Sequence, residues 1–178
     1  NAATPDPPGG RILRDKSGKP TGVLIDRAMG LVSRRIPPPT PEQVRNRIER
    51  AAQECARLGI TGVHDAGTTP EHIAAYRALI KEGRLPLRVY AMIGGAGSHW
   101  DSWLARGPET DEYLTVRSIK LVADGALGSR GAAMIEPYSD DPGNRGLTIL
   151  KREDIERVAR QAVAKGFQVN THAIGDAA

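Results

Sequence analysis

The stretch "SIKLVADGALGSRG", Ser118–Gly131, decides the fold. Its first half is an apolar run that ends in an Asp-Gly turn, the pattern of a covered strand leading into a loop. Lys120 stands inside that run, yet lysine is seldom fully buried without a partner. Side chains on a strand alternate in direction. Lys120 and Val122 therefore share one face and Ile119 and Leu121 the other, and a covered parallel strand should hide both. Spacing alone leaves three explanations. A desolvated lysine has a depressed pKa and can be a neutral amine. That amine could form a Schiff base with a carbonyl substrate, or it could add carbon dioxide to give a carbamate, an anionic oxygen ligand for metals. The third explanation is a snorkelling lysine paired with a carboxylate.

Upstream of this stretch, a regular alternation of helix and strand signals begins at Thr40. Thr40 suits an N-cap, Pro41 the first helical position, and Gln43 completes a capping box. Val44, Ile48, Ala51, Cys55 and Leu58 recur at helical spacing and Gly59 ends the run. "ITGVHD" reads as a strand. Thr69-Pro70-Glu71 repeats the cap, Ile73, Tyr76 and Ile80 form the next apolar face, and Gly83 stops it. "LRVYAMI" is a strand, and "SHWDSWLARG" is a poorly defined connection. Beyond Gly131, a long loop to Leu150 leads to a helix with Ile155, Val158, Ala162 and Val163 on one face and Gly166 at its end. "FQVNTHAIGD" is the last strand. Alternating strands and helices imply parallel pairing with right-handed crossovers.

Residues 1–40 differ from the rest. They are rich in Pro and Gly, and "GRILRD" and "TGVLID" read as two short strands joined by the "KSGKP" turn. The expected organisation is α/β. Residues 41–178 form a partial (β/α)8 TIM-type barrel of about four βα units. Residues 1–40 form a small irregular β-containing segment before it. The chain stops directly after a strand, which suggests a fragment of a longer protein.

The 178 residues are 39% hydrophobic and 26% charged, a globular balance with no run long enough to span a membrane. The net charge is +4, but the basic residues are scattered and aromatics make up only 4%, which argues against a nucleic-acid surface. One cysteine, Cys55, excludes an internal disulfide, fits a reducing, cytoplasmic setting, and reads as a core thiol. No CxxC, Walker loop, GxSxG or His-x-His occurs, and "GGAGSH" lacks dinucleotide-loop spacing.

In parallel α/β folds, sites lie at the carboxyl ends of strands. The polar residues there are His64 and Asp65, Lys120 and Asp124, and His172 and Asp176. A histidine at the end of an apolar strand is either a metal ligand or a satisfied core residue. Asp65, Asp124 and Asp176 are expected to cap the helices that follow, and His72 and His99 read as surface residues. Asn170 and Asp176 are the expected partners for the second ring nitrogen of His172. Asp124, Gly125 and Arg130 lie on the loop where substrate contacts fall, and Arg130 suits an anionic group.

With these residues in view, the chain resembles the YtcJ-like branch of the amidohydrolase superfamily. The likeness runs through "PDPPGGRILRDKSGKPTGVLID", "ARLGITGVHDAG", "IKLVADGALGSRGAAMIEPYSDD" and "VNTHAIGDAA", the last two being the specific ones. The resemblance implies a distorted (β/α)8 barrel that hydrolyses amide or other non-peptide C–N bonds with a metal-activated hydroxide. It makes Lys120 a carboxylated ligand, its carbamate drawn from CO2, and makes His172 the fifth-strand histidine. One or two divalent metals, zinc foremost, are implied for a complete site. His64, Asp124, Gly125 and Arg130 become substrate contacts. The His-x-His, the sixth-strand histidine and the catalytic aspartate have no counterpart here, so the catalytic residue is expected downstream and the chain alone should be inactive. The implied partner is a small-molecule amide, with no nucleic acid or membrane and with homo-oligomers possible. The alternatives are a Schiff-base lyase or aldolase using Lys120, and a non-catalytic binding module.

Overall fold

The computed structural model describes residues 3–95 and 98–178, and of residues 98 and 99 the backbone alone. Part of "GGAGSH" and the side chain of His99 therefore lie outside the described residues. The chain is mixed α/β and separates into two compact units.

The first unit comprises Asn1–Pro37, Val122–Ile155 and Thr171–Ala178. Its hairpin pairs β1 (Gly10–Arg14) with β2 (Pro20–Asp26) antiparallel, Gly10 opposite Asp26 and Arg14 opposite Pro20. The "KSGKP" turn closes as the sequence suggests. The Asp15 carboxylate accepts the Ser17 and Lys19 N–H groups, and Gly18 takes a φ of 82° that only glycine adopts freely. β2 runs into a 3-10 turn (Arg27–Met29) and the short α1 (Gly30–Ser33). Ile12, Ile25 and Ala28 are buried. The loop after Val122 packs back on this hairpin: Arg27 Nη2 donates to the Ile149 carbonyl and Arg11 pairs with Asp141 at 3.5 Å.

The second unit comprises Pro38–Leu121 and Glu156–Asn170. α2 (Pro41–Arg57) opens with the Thr40–Gln43 capping box. β3 (Gly62–Thr68), β4 (Arg88–Ile93) and β6 (Leu114–Val122) pair in parallel, with α3 (Pro70–Lys81) between β3 and β4. α5 (Arg152–Ala164) precedes β7 (Gln168–His172), which pairs with β6. The core is built from Leu79, Val89, Ala91, Ile93, Val116, Ile119, Leu121, Val158 and Ala162. One strand departs from the parallel rule: the two-residue β5 (Glu109–Thr110) runs antiparallel to β6.

Several local readings are corrected. "SHWDSWLARG" contains α4 (Ser98–Arg106), which buries Trp100, Trp103 and Leu104 at helical spacing. β6 begins at Leu114, not Ser118. Leu114, Val116 and Ser118 alternate inward, and the hydroxyl of Ser118 accepts from the Asn170 amide, which lets a polar residue sit in the buried row. In α5 Val163 faces outward at 68% exposure while Val158 and Ala162 are buried. Cys55 is half-buried, not a core thiol. His72 is no free surface residue: its Nδ1 accepts the Thr69 N–H and closes the box that caps α3. Among the described residues no helix is long and apolar enough to cross a membrane.

Candidate functional site

Each unit carries its own share of chemistry-bearing residues. In the second unit, β6 places Ile119 and Leu121 on a sealed face, with exposures of 0% and 1%. The opposite face is not covered as expected. Lys120 is half-buried and Val122 is 37% exposed. Lys120 Nζ donates to the Leu121 carbonyl at 2.8 Å, and among the described residues no carboxylate lies within ion-pair reach of it. Burial holds its ammonium below the ordinary lysine range. A half-buried lysine without a counter-ion, its charged form disfavoured, is a candidate nucleophile.

His64 lies on β3 at the edge of the sheet. It is exposed and stacks on Tyr90 with ring centroids 4.9 Å apart. Its neighbour Asp65 does not cap a helix. It accepts the Tyr76 hydroxyl at 2.7 Å, and burial first, then Asp65, push that phenol far above its ordinary range.

In the first unit the centre is Asp124, whose exposure is 0%. It is not a helix cap either. Oδ2 accepts the N–H groups of Ala133 and Gly175, both at 2.8 Å, and Oδ1 accepts that of Ile174 at 3.0 Å. One buried carboxylate thus ties the loop after β6 to the turn after β7. Burial alone would raise its pKa, but the three N–H bonds and His172 outweigh it and hold the carboxyl below the ordinary aspartate range.

His172 is part-buried, with Nε2 at 3.1 Å from the Gly125 carbonyl and 3.8 Å from Asp124 Oδ1. A carbonyl only accepts, so Nε2 carries a proton, and the neutral ring then has its lone pair at Nδ1. The expected partners do other work: Asn170 binds Ser118, and Asp176 Oδ1 accepts the Ile135 N–H instead of capping. Gly125 is therefore both the carbonyl acceptor for the ring and a point of close approach; a Cβ there would stand 2.6 Å from Asp26 Oδ2. Arg130, at φ 55°, gives two bonds to Asp140 at 3.0 and 2.6 Å, so its charge already has a partner.

Asp26, at the end of β2, was not visible to sequence reasoning. Its backbone sits at φ 50°, ψ −123°, a conformation that favours glycine. Oδ2 is buried without a hydrogen-bond partner among the described residues. Burial first, then Asp124, push its pKa up, against His172. No sequence signal marks it, because its surroundings come from residues about a hundred positions away.

The donor chemistry suits a divalent metal in part. Lys120 in the second unit and His172 in the first are the candidate donors. Among the described residues no group of three or more His, Cys, Asp or Glu could hold a metal, and a catalytic zinc site takes three protein ligands.

Comparison with known proteins finds likeness to hydrolases. A family model described as the amidohydrolase family matches residues 1–178. YtcJ of Bacillus subtilis (strain 168) is 35% identical over 180 residues, covering 98% of this chain and 34% of that protein. The N-substituted formamide deformylase of Arthrobacter pascens is 27% identical over 190 residues, covering 99% of this chain and 34% of the enzyme. The crystal structure of an uncharacterized metal-dependent hydrolase from Pyrococcus horikoshii OT3 superposes with a TM-score of 0.72 at 29% identity, covering 93% of this chain and 35% of that one. The chain thus spans about a third of the length of these relatives.

Proposed function

The chain belongs to the amidohydrolase family, and from that premise we propose that the full-length protein is a metal-dependent hydrolase of amide or other non-peptide C–N bonds. The observation that carries this reading is Lys120, a half-buried amine with no carboxylate partner among the described residues and a disfavoured ammonium form. Such an amine reacts with CO2, and the carbamate is an oxygen ligand. By the family likeness His172 is also a ligand, through Nδ1, since Nε2 faces the Gly125 carbonyl. The metal, zinc by preference, supplies Lewis-acid polarisation of the carbonyl and activation of water. Residues 41–178 are then part of a (β/α)8 barrel that the rest of the protein completes. The remaining ligands and the catalytic aspartate come from outside this chain, which alone is inactive. The bond class is supported by the name of the Arthrobacter relative, a deformylase of N-substituted formamides.

Within the second unit, exposed His64 is a group available to a small amide substrate, whereas Asp124 and Arg130 are already bonded within the first unit. Lys120→Ala in the full-length protein tests the reading. Zinc content and activity should both collapse, and added short carboxylates should restore part of each. Full zinc and full rate in that variant would refute it. The lowered ammonium also permits a Schiff-base lyase, which borohydride trapping of a carbonyl substrate on Lys120 would reveal.

A further inference from the structure

We propose that Asp26 is a positioning residue of the His172 centre, acting as a wedge that sets the loop carrying the Gly125 carbonyl. The proposal rests on His172 being a metal ligand and goes beyond it by assigning the N-terminal hairpin to the metal centre.

Three observations within the first unit converge. First, the backbone of Asp26 occupies φ 50°, ψ −123°, where a side chain is a steric burden that glycine would not carry. An aspartate kept there is kept for its side chain. Second, no hydrogen bond repays the burial of Oδ2, which is unpartnered among the described residues. Third, Oδ2 fills the space beside two glycines. A Cβ on Gly125 would meet it at 2.6 Å, and at Gly131 the Asp26 carboxyl is the nearest obstacle by a wide margin. The same two glycines are joined by the bond from Gly125 N–H to the Gly131 carbonyl at 3.2 Å. The Gly125 carbonyl in turn faces His172 Nε2 at 3.1 Å. The chain of contact therefore runs from Asp26 to Gly125 and from Gly125 to the ring. Removing the wedge lets the Gly125 carbonyl drift and loosens the orientation of Nδ1. Partners that orient a metal-bound histidine are typically worth about ten- to hundredfold in metal affinity.

The test uses the full-length protein, Zn2+ as the probe, and chelator competition with thermal melting as readouts. Asp26→Gly relieves the backbone burden and removes the wedge, so the melting midpoint should hold or rise while zinc affinity falls about tenfold or more. These opposite signs separate a positioning role from a structural one. Gly131→Ala presses a methyl on the carboxyl and should also weaken zinc. In the Asp26→Gly background the same methyl should have little further effect, because its obstacle is gone. Unchanged zinc affinity in Asp26→Gly, or simple additivity of the two changes, would overturn the proposal. His172→Asn separates the two levels. Unchanged zinc there refutes the ligand reading and the proposal with it. Lost zinc there, with native affinity in Asp26→Gly, refutes the wedge alone.

Discussion

Replacing Asp124 with alanine should open the structure at three named amides. The carboxylate is wholly buried and accepts the N–H groups of Ala133, Ile174 and Gly175 at 2.8, 3.0 and 2.8 Å. Hydrogen bonds to a charged acceptor contribute about 1.5–3 kcal/mol each, and a buried donor left bare costs a similar amount. The three share one acceptor group, so their losses do not simply add. Read amide by amide, 1.4 kcal/mol is about tenfold, so exchange at each of the three should quicken by roughly ten- to hundredfold. Hydrogen–deuterium exchange of the full-length protein, followed on peptides covering 131–135 and 172–176, measures this directly. Asp124→Asn sharpens the test. Its remaining oxygen can still serve the Ala133 and Gly175 amides together, as Oδ2 does, while its NH2 group faces the Ile174 N–H. Only Ile174 should then lose protection. Unchanged exchange at all three amides in the alanine variant would refute the idea that Asp124 holds the loop and the turn together.

Other outcomes follow from the same contacts. His172→Asn should lower zinc content strongly with little change in melting, because an amide oxygen is a poor substitute for an imidazole nitrogen; normal zinc with a lower melting point would indicate a core histidine. Tyr76→Phe removes the 2.7 Å hydroxyl bond to Asp65 and should cost about 1–2 kcal/mol in denaturant unfolding; no loss would mean that the bond is worth nothing in solution. Asp6 is held below its ordinary pKa by Arg14 and the Ile12 N–H. A depressed carboxyl stabilises above its unfolded value, about 3.9, and that stability is lost as pH falls through the folded value. Asp6→Asn should therefore weaken the protein by less than about 1 kcal/mol near neutrality and be indistinguishable from the parent at strongly acidic pH; a deficit that persists in acid would exclude the charge as its source.

What the sequence revealed was local. The capping box at Thr40 and the turn at Asp15–Lys19 are short-range chemistry, and the structure forms both. Lys120 stood out because a cation in an apolar run is rare. Readings failed where a polar residue owed its place to a distant partner. Ser118 hid the true start of β6 because its acceptor role for Asn170 spans 52 positions. His72 looked like surface because a histidine can do the work of Gln43 in a capping box only if its Nδ1 happens to reach back. Their turns suggest caps for the aspartates, whereas Asp124 bonds amides 9, 50 and 51 residues ahead. Asp26 depends on two glycines that the hairpin meets only after folding. α4 was legible in principle: Trp100, Trp103 and Leu104 have helical spacing, masked by Ser and Asp between them.

The most direct test of the central claim is a crystal structure of the full-length protein grown with Zn2+ and bicarbonate, with anomalous data collected at the zinc edge. The account predicts a planar carboxyl group on Lys120 Nζ and a zinc ion against Nδ1 of His172, with Nε2 still on the Gly125 carbonyl. An unmodified Lys120 and a His172 ring free of metal, in crystals that hold zinc elsewhere, would contradict it.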